Sequence, residues 1–311
     1  MAPVYRKRFG FMPNPAVARE IASLDARRDC QRIAHLLTAY EFSWDMTRSL
    51  EVALFYTYGS DTVSQLLDRT GEFSQHGQKR YDDTRLLIAH FMDSGWDGEV
   101  GRQALERMNK THANYRIPND DFLFVLWTFI DFPMRWTDRF SWRTMTAHEK
   151  AAWFHFWREI GQRMGLRDIP ADKPAFDAFV ADYRRQHFVP AEASARVANA
   201  TLDILRGWLP ARLHKLVGPI VYSLLDEPDF LAAIHARPAP RRLKRLVESS
   251  LTALGVAKRA IAIGPYPMRV DDAINRTYPG SRYAIEDLRP VHLKRREERA
   301  QSPARAGGQG G

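Results

Sequence analysis

The chain has 311 residues, 45% of them apolar and 12% aromatic, which is ample for a sizeable buried core and excludes a chain that is disordered throughout. Lysine and arginine number 46 against 37 for aspartate and glutamate, a formal charge of +9, and residues 289–311 carry four of those nine charges. The body is therefore only mildly basic, and with no RNA-binding aromatic signature or finger spacing nucleic acid is excluded as the expected partner.

Apolar spacings of three and four recur from end to end while period-two alternation is scarce, so the pattern predicts an all-α chain. Residues 15–38 read as two short helices with the polar run 25–29 between them. The next unit, residues 50–67, is broken by Gly59 and ended by Gly71. Residues 80–92 place Leu86, Leu87 and Phe91 inward, and a further helix runs from Gly98 toward His112. The most apolar segment, residues 122–130, is only nine residues long and predicts a buried central helix rather than a membrane span. Thr146 and Glu149 form a capping-box signature for a helix ended by Gly165. Helical patterns continue over residues 174–187, 191–208, 212–225, 228–235 and 241–261. The reading is one all-α domain over residues 1–288, with globin-like packing open to it, and a disordered basic tail over 289–311.

A single cysteine, Cys30, excludes an intrachain disulfide, a zinc site with two or more thiolates and a cysteine-ligated iron–sulfur cluster. The basic N-terminus lacks an apolar stretch behind it, and no run reaches the roughly 18 to 20 apolar residues of a span, so a soluble cytoplasmic protein is expected. Nucleotide-binding glycine motifs, the nucleophile elbow and the H-E-x-x-H zinc motif are all missing. No Glu-x-x-His pairs suggest a di-iron bundle, and neither Asp82-Asp83 nor Asp120-Asp121 completes the magnesium motif of a terpene synthase. An all-helical chain without thiolate ligands can still hold iron in a haem, which needs one neutral imidazole, apolar walls and cations for the propionates. Ten histidines leave that search open on chemistry alone.

The order of five short elements resembles a known family: LLDRTGEF (66–73), RYDDT (80–84), MNKTHANYRIPNDDFLFVL (108–126), LRDIP (166–170) and a weaker TYPGSRY (277–283). Together they are similar to the catalytic domain shared by the latex-clearing protein, a rubber oxygenase, and the endoplasmic-reticulum-bound oxygenase MpaB, over roughly residues 10–285. The resemblance implies an all-α fold that binds haem b and oxidatively cleaves a carbon–carbon double bond in an isoprenoid-like chain. It implies His112 as the iron ligand and Arg80 and Thr84, four apart on one helix face, as distal groups. The candidate catalytic set is Arg80, Thr84, Asp83 and Glu72, with Arg80 and Arg116 as cofactor-binding cations.

Asp83 marks a departure, because the rubber-cleaving branch carries a lysine directly before this threonine. A carboxylate does not replace a lysine amine at iron, so polyisoprene is not the implied substrate. Glu72 is the candidate for the base that the rubber branch uses, against a solvated loop carboxylate as the plainer reading. The aromatics Trp127, Phe129, Trp136, Trp142, Trp153, Phe154, Phe156 and Trp157 are read mainly as core, with lining of a substrate channel as the alternative, and His148, His155 and His187 as structural. The expected partners are a hydrophobic small molecule and dioxygen, with peripheral membrane contact through the basic tail as an option. A non-catalytic haem sensor and a cofactor-free helical interaction protein stay open beside the oxygenase.

Overall fold

A computed structural model describes residues 4–9, 12–261 and 264–301. Among the described residues the chain forms fourteen α-helices and no strand; Arg8 and Met12 make only a lone backbone bridge. The first group comprises α1 (Pro15–Ser23), α2 (Cys30–Leu36), α3 (Ser43–Tyr56), α4 (Asp61–Thr70), α5 (Glu72–Ser94) and α6 (Glu99–His112). Then follow α7 (Asn119–Phe140), α8 (Ala147–Arg163), α9 (Lys173–His187) and α10 (Glu192–Gly207). The last four are α11 (His214–Leu224), α12 (Pro228–Ala233), α13 (Arg241–Lys258) and α14 (Val291–Gln301).

Local chemistry sets most of these boundaries. Asn14, Ser60 and Asp172 cap α1, α4 and α9 by accepting from backbone N–H groups at 2.9, 3.3 and 2.8 Å. The capping box of α8 is present in both halves: Thr146 Oγ1 accepts from Glu149 N at 3.1 Å, and the Glu149 carboxylate accepts from Thr146 N at 2.8 Å. Gly71 closes α4 at φ 65°, a left-handed turn that a side chain would strain.

The long helix α7 lies at the centre and packs on α3, α8, α9 and α13, while α5 packs on α4, α6 and α10. It runs well beyond the nine apolar residues seen in the sequence and includes Pro133. Buried polar ties lock these layers: Asp45 of α3 accepts from Lys258 of α13 and from Trp136 Nε1 of α7, both at 3.0 Å. Arg143 bridges the buried Glu41 and Glu149. Such ties pair the buried charges they join, which is what their burial requires.

The end of the chain departs from the expected disordered tail. Residues 291–301 form α14, and residues 302–311 lie outside the described residues. The buried Glu72 carboxylate accepts from the first N–H groups of α14, Val291 at 3.1 Å and His292 at 3.0 Å, and Leu293 is buried. Capping from a distant element supplies what a charged, locally unsupported sequence lacks. Consequently the folded unit does not stop at residue 288.

Candidate active site

A cavity of about 440 Å³ lies between the α5 and α7 layers, with walls from α3, α4, α5, α6, α7, α8, α10 and α11. Its lining is mostly apolar; Leu54, Phe73, Phe91, Phe122, Phe129 and Leu224 are representative. Of the aromatics singled out in the sequence, Phe129, Trp136 and Trp157 reach it, whereas Trp153, Phe154 and Phe156 fill the core. His148 and His187 tie elements together: His148 Nε2 sits 3.2 Å from the Ile21 carbonyl, and His187 Nδ1 sits 3.1 Å from Asp61.

One face of α5 supplies the polar wall. Arg80, Thr84, Leu87, Ile88 and Phe91 all line the cavity and share an arc of about 100° at 100° per residue. The Arg80 guanidinium lies over the Phe73 ring, 5.9 Å from its centroid. Three carboxylates also line the cavity, and each is engaged. Glu51 accepts from Arg48 at 2.8 Å and from the Tyr81 hydroxyl, Asp121 accepts from Thr62 at 2.8 Å and Tyr183 at 2.6 Å, and Glu72 caps α14. Among the described residues Arg80 is the one charged side chain of this wall without a hydrogen-bond partner. An unpaired cation at an apolar cavity is a receptor for an anion.

His112, the last residue of α6, faces the same cavity. Its ring packs edge-on against Phe122 with centroids 5.3 Å apart, and Nδ1 is buried without a partner. Burial, with a smaller push from the Arg80 charge, lowers its pKa to about 4. The imidazole is therefore neutral at physiological pH and able to offer a lone pair.

Two candidates stand elsewhere than expected. Asp83 is 60° away from Arg80 around α5, outside the lining arc on the side opposite Thr84. It is buried and accepts from Lys79 Nζ at 2.6 Å and the Tyr278 hydroxyl at 2.7 Å. Burial raises its pKa despite those donors. Its neighbour Asp82 accepts from Thr277 N and Oγ1 at 2.8 and 2.6 Å. The Asp pair thus pins TYPGSRY onto RYDDT, a structural tie between two of the family-like elements. Arg116 is exposed and does not line the cavity, because the chain has left α6 and points it outward.

Glu72 does line the cavity but is neither a solvated loop residue nor a free base. Burial would raise its pKa, yet the hydrogen bonds from the His292 ring and from the two α14 amides take it below the usual carboxylate value. Its Oε1 lies 2.6 Å from His292 Nδ1, and His292 Nε2 lies 2.9 Å from the hydroxyl of Tyr115, which also lines the cavity. Of this group only Glu72 was singled out from the sequence. Tyr115 stands three residues after His112, but His292 comes from the segment expected to be disordered.

A model of the family described as "ER-bound oxygenase mpaB/B'/Rubber oxygenase, catalytic domain" matches residues 52–277. The chain is 28% identical over 218 residues to a protein named ER-bound oxygenase mpaB' from Penicillium brevicompactum, covering 64% of this chain and 52% of that relative. It is 30% identical over 183 residues to ER-bound oxygenase mpaB of the same fungus, covering 53% and 47%. With ER-bound oxygenase mpaB of Penicillium roqueforti (strain FM164) it shares 28% over 205 residues, covering 60% and 69%. The aligned part thus spans about half the length of the first two relatives. Among the described residues no helix is long and apolar enough to cross a membrane.

Proposed function

Since this chain belongs to the ER-bound oxygenase mpaB/B' and rubber oxygenase catalytic-domain family, we propose that it is a haem b-dependent oxygenase acting on an alkene in a hydrophobic, isoprenoid-like substrate. His112 carries the reading: a neutral imidazole whose buried Nδ1 has no partner, at a mostly apolar cavity. An iron ligand must be unprotonated, and a low pKa keeps this one so.

The rest of the wall fits the same group. His112 would hold the iron and Arg80 would pair with a propionate, for which it has no competing partner among the described residues. At about 440 Å³ the cavity falls within the roughly 300–1,000 Å³ range of small-molecule sites. A bound haem would supply the iron at which dioxygen is activated. The protein's share is to seat a greasy substrate against apolar walls, exclude bulk water and present the Thr84 hydroxyl as a fixed donor.

The test is incubation of the haem-loaded chain with linear isoprenoid alkenes under ¹⁸O₂, with mass spectrometry of the products. The expected result is labelled carbonyl products that His112→Ala and Arg80→Ala lose or strongly reduce. Haem-loaded protein that consumes no oxygen across such substrates would leave a haem-binding protein without oxygenase chemistry.

A further inference from the structure

Tyr115, His292 and Glu72 form a connected line. Tyr115 and Glu72 both stand in the cavity wall, while the His292 side chain that joins them is 40% exposed on the outside. Distances of 2.9 Å from the Tyr115 hydroxyl to Nε2 and 2.6 Å from Nδ1 to Glu72 Oε1 are both hydrogen bonds. A carboxylate can only accept, so Glu72 fixes the proton of neutral His292 on Nδ1. That leaves Nε2 as the acceptor of the Tyr115 O–H. The order of groups, hydroxyl to imidazole to carboxylate, is the arrangement that activates a hydroxyl by giving its proton somewhere to go.

We infer that Tyr115, His292 and Glu72 are a proton relay between the cavity and solvent, with Tyr115 exchanging a proton with the substrate during oxygenation. This rests on the oxygenase reading above. In the forward step an O–H bond of the oxygenated substrate breaks, its electron pair stays on that oxygen, and a new O–H bond forms on Tyr115. The original Tyr115 proton passes to His292 Nε2, giving an imidazolium beside the Glu72 carboxylate. Release from the exposed ring edge to water restores the starting state, and the reverse sequence returns a proton to product. Tyr115 is the catalytic residue of the three; His292 and Glu72 act through it. Glu72 has a second task, since the same carboxylate docks α14 and so holds His292 in place.

Two measurements test the relay. ¹⁵N NMR of the histidines is expected to show His292 as the Nδ1–H tautomer in the cofactor-free protein, and Glu72→Gln is expected to abolish that preference. An Nε2–H tautomer in the wild type would overturn the relay whatever the cofactor does. In the haem-loaded protein, Tyr115→Phe and His292→Gln are expected to slow substrate oxidation by at least about 100-fold and to lose the wild type's solvent deuterium isotope effect. The haem absorption spectrum and thermal midpoint of Tyr115→Phe should stay as in the wild type. An unchanged rate and isotope effect in Tyr115→Phe would overturn the relay and leave the oxygenase reading standing. Failure of the wild type to take up haem would remove the oxygenase reading and the relay's reaction with it.

Discussion

His112 has no hydrogen bond to reward its burial, and burial has a measurable cost on the acid side. Its folded pKa is lowered to about 4 from an ordinary 6.5. The unfolded chain therefore binds a proton below about pH 6.5 that the folded chain refuses. Stability linked to this residue is fully present above about pH 6.5 and is lost as pH falls toward about pH 4, on the order of 3 kcal/mol in total. Urea unfolding of the cofactor-free chain between about pH 7 and pH 4.5 should lose more stability in the wild type than in His112→Leu. Equal losses would contradict a neutral, buried imidazole. Asp83 makes the opposite case, a residue whose place in the sequence beside Thr84 suggested chemistry and whose place on the helix gives structure. Asp83→Ala strips Lys79 and Tyr278 of a buried acceptor and should cost about 2–4 kcal/mol. The haem spectrum should not move in this variant; a displaced Soret band would put Asp83 in the distal site after all. Adjacency along the chain says nothing about which way a helical side chain faces, and 100° of rotation per residue separates neighbours that look equivalent on paper.

Helix boundaries were legible where Gly71 closes α4 and where the Thr146–Glu149 box opens α8. The final helix α14 was not, because the carboxylate that caps it sits 219 residues upstream on α5. No local pattern carries that information. Glu72→Ala should release α14, and limited proteolysis should then cut within residues 289–301 faster than in the wild type; equal protection would show that α14 holds without Glu72. Gly255 on α13 is another contact invisible in sequence. A Cβ there would meet the Phe140 backbone carbonyl oxygen at 2.2 Å, so the glycine permits the close approach of α13 to the end of α7. Gly255→Ala should cost about 1–3 kcal/mol in thermal or urea unfolding, with no change expected at the cavity; an unaltered midpoint would mean the two helices can part freely.

At the scale of the whole molecule, the all-α class was legible from periodicity, and the candidate ligand from a resemblance carried by short elements in a fixed order. The cavity itself was not, since it is assembled from eight helices, and the apolar residues that line it have the same spacing as those that fill the core. Only the fold separates Phe129 and Trp157 in the wall from Phe156 behind them. On the proposed function, this cavity holds haem on His112. The most direct measurement is the absorption spectrum of the purified protein, expressed with ample haem, beside His112→Ala, with a pyridine haemochrome to identify the porphyrin. The wild type is expected to show a Soret band and a haem b haemochrome, with the band lost or shifted in the variant. A wild type that carries no haem, or a variant with an identical spectrum, would contradict it.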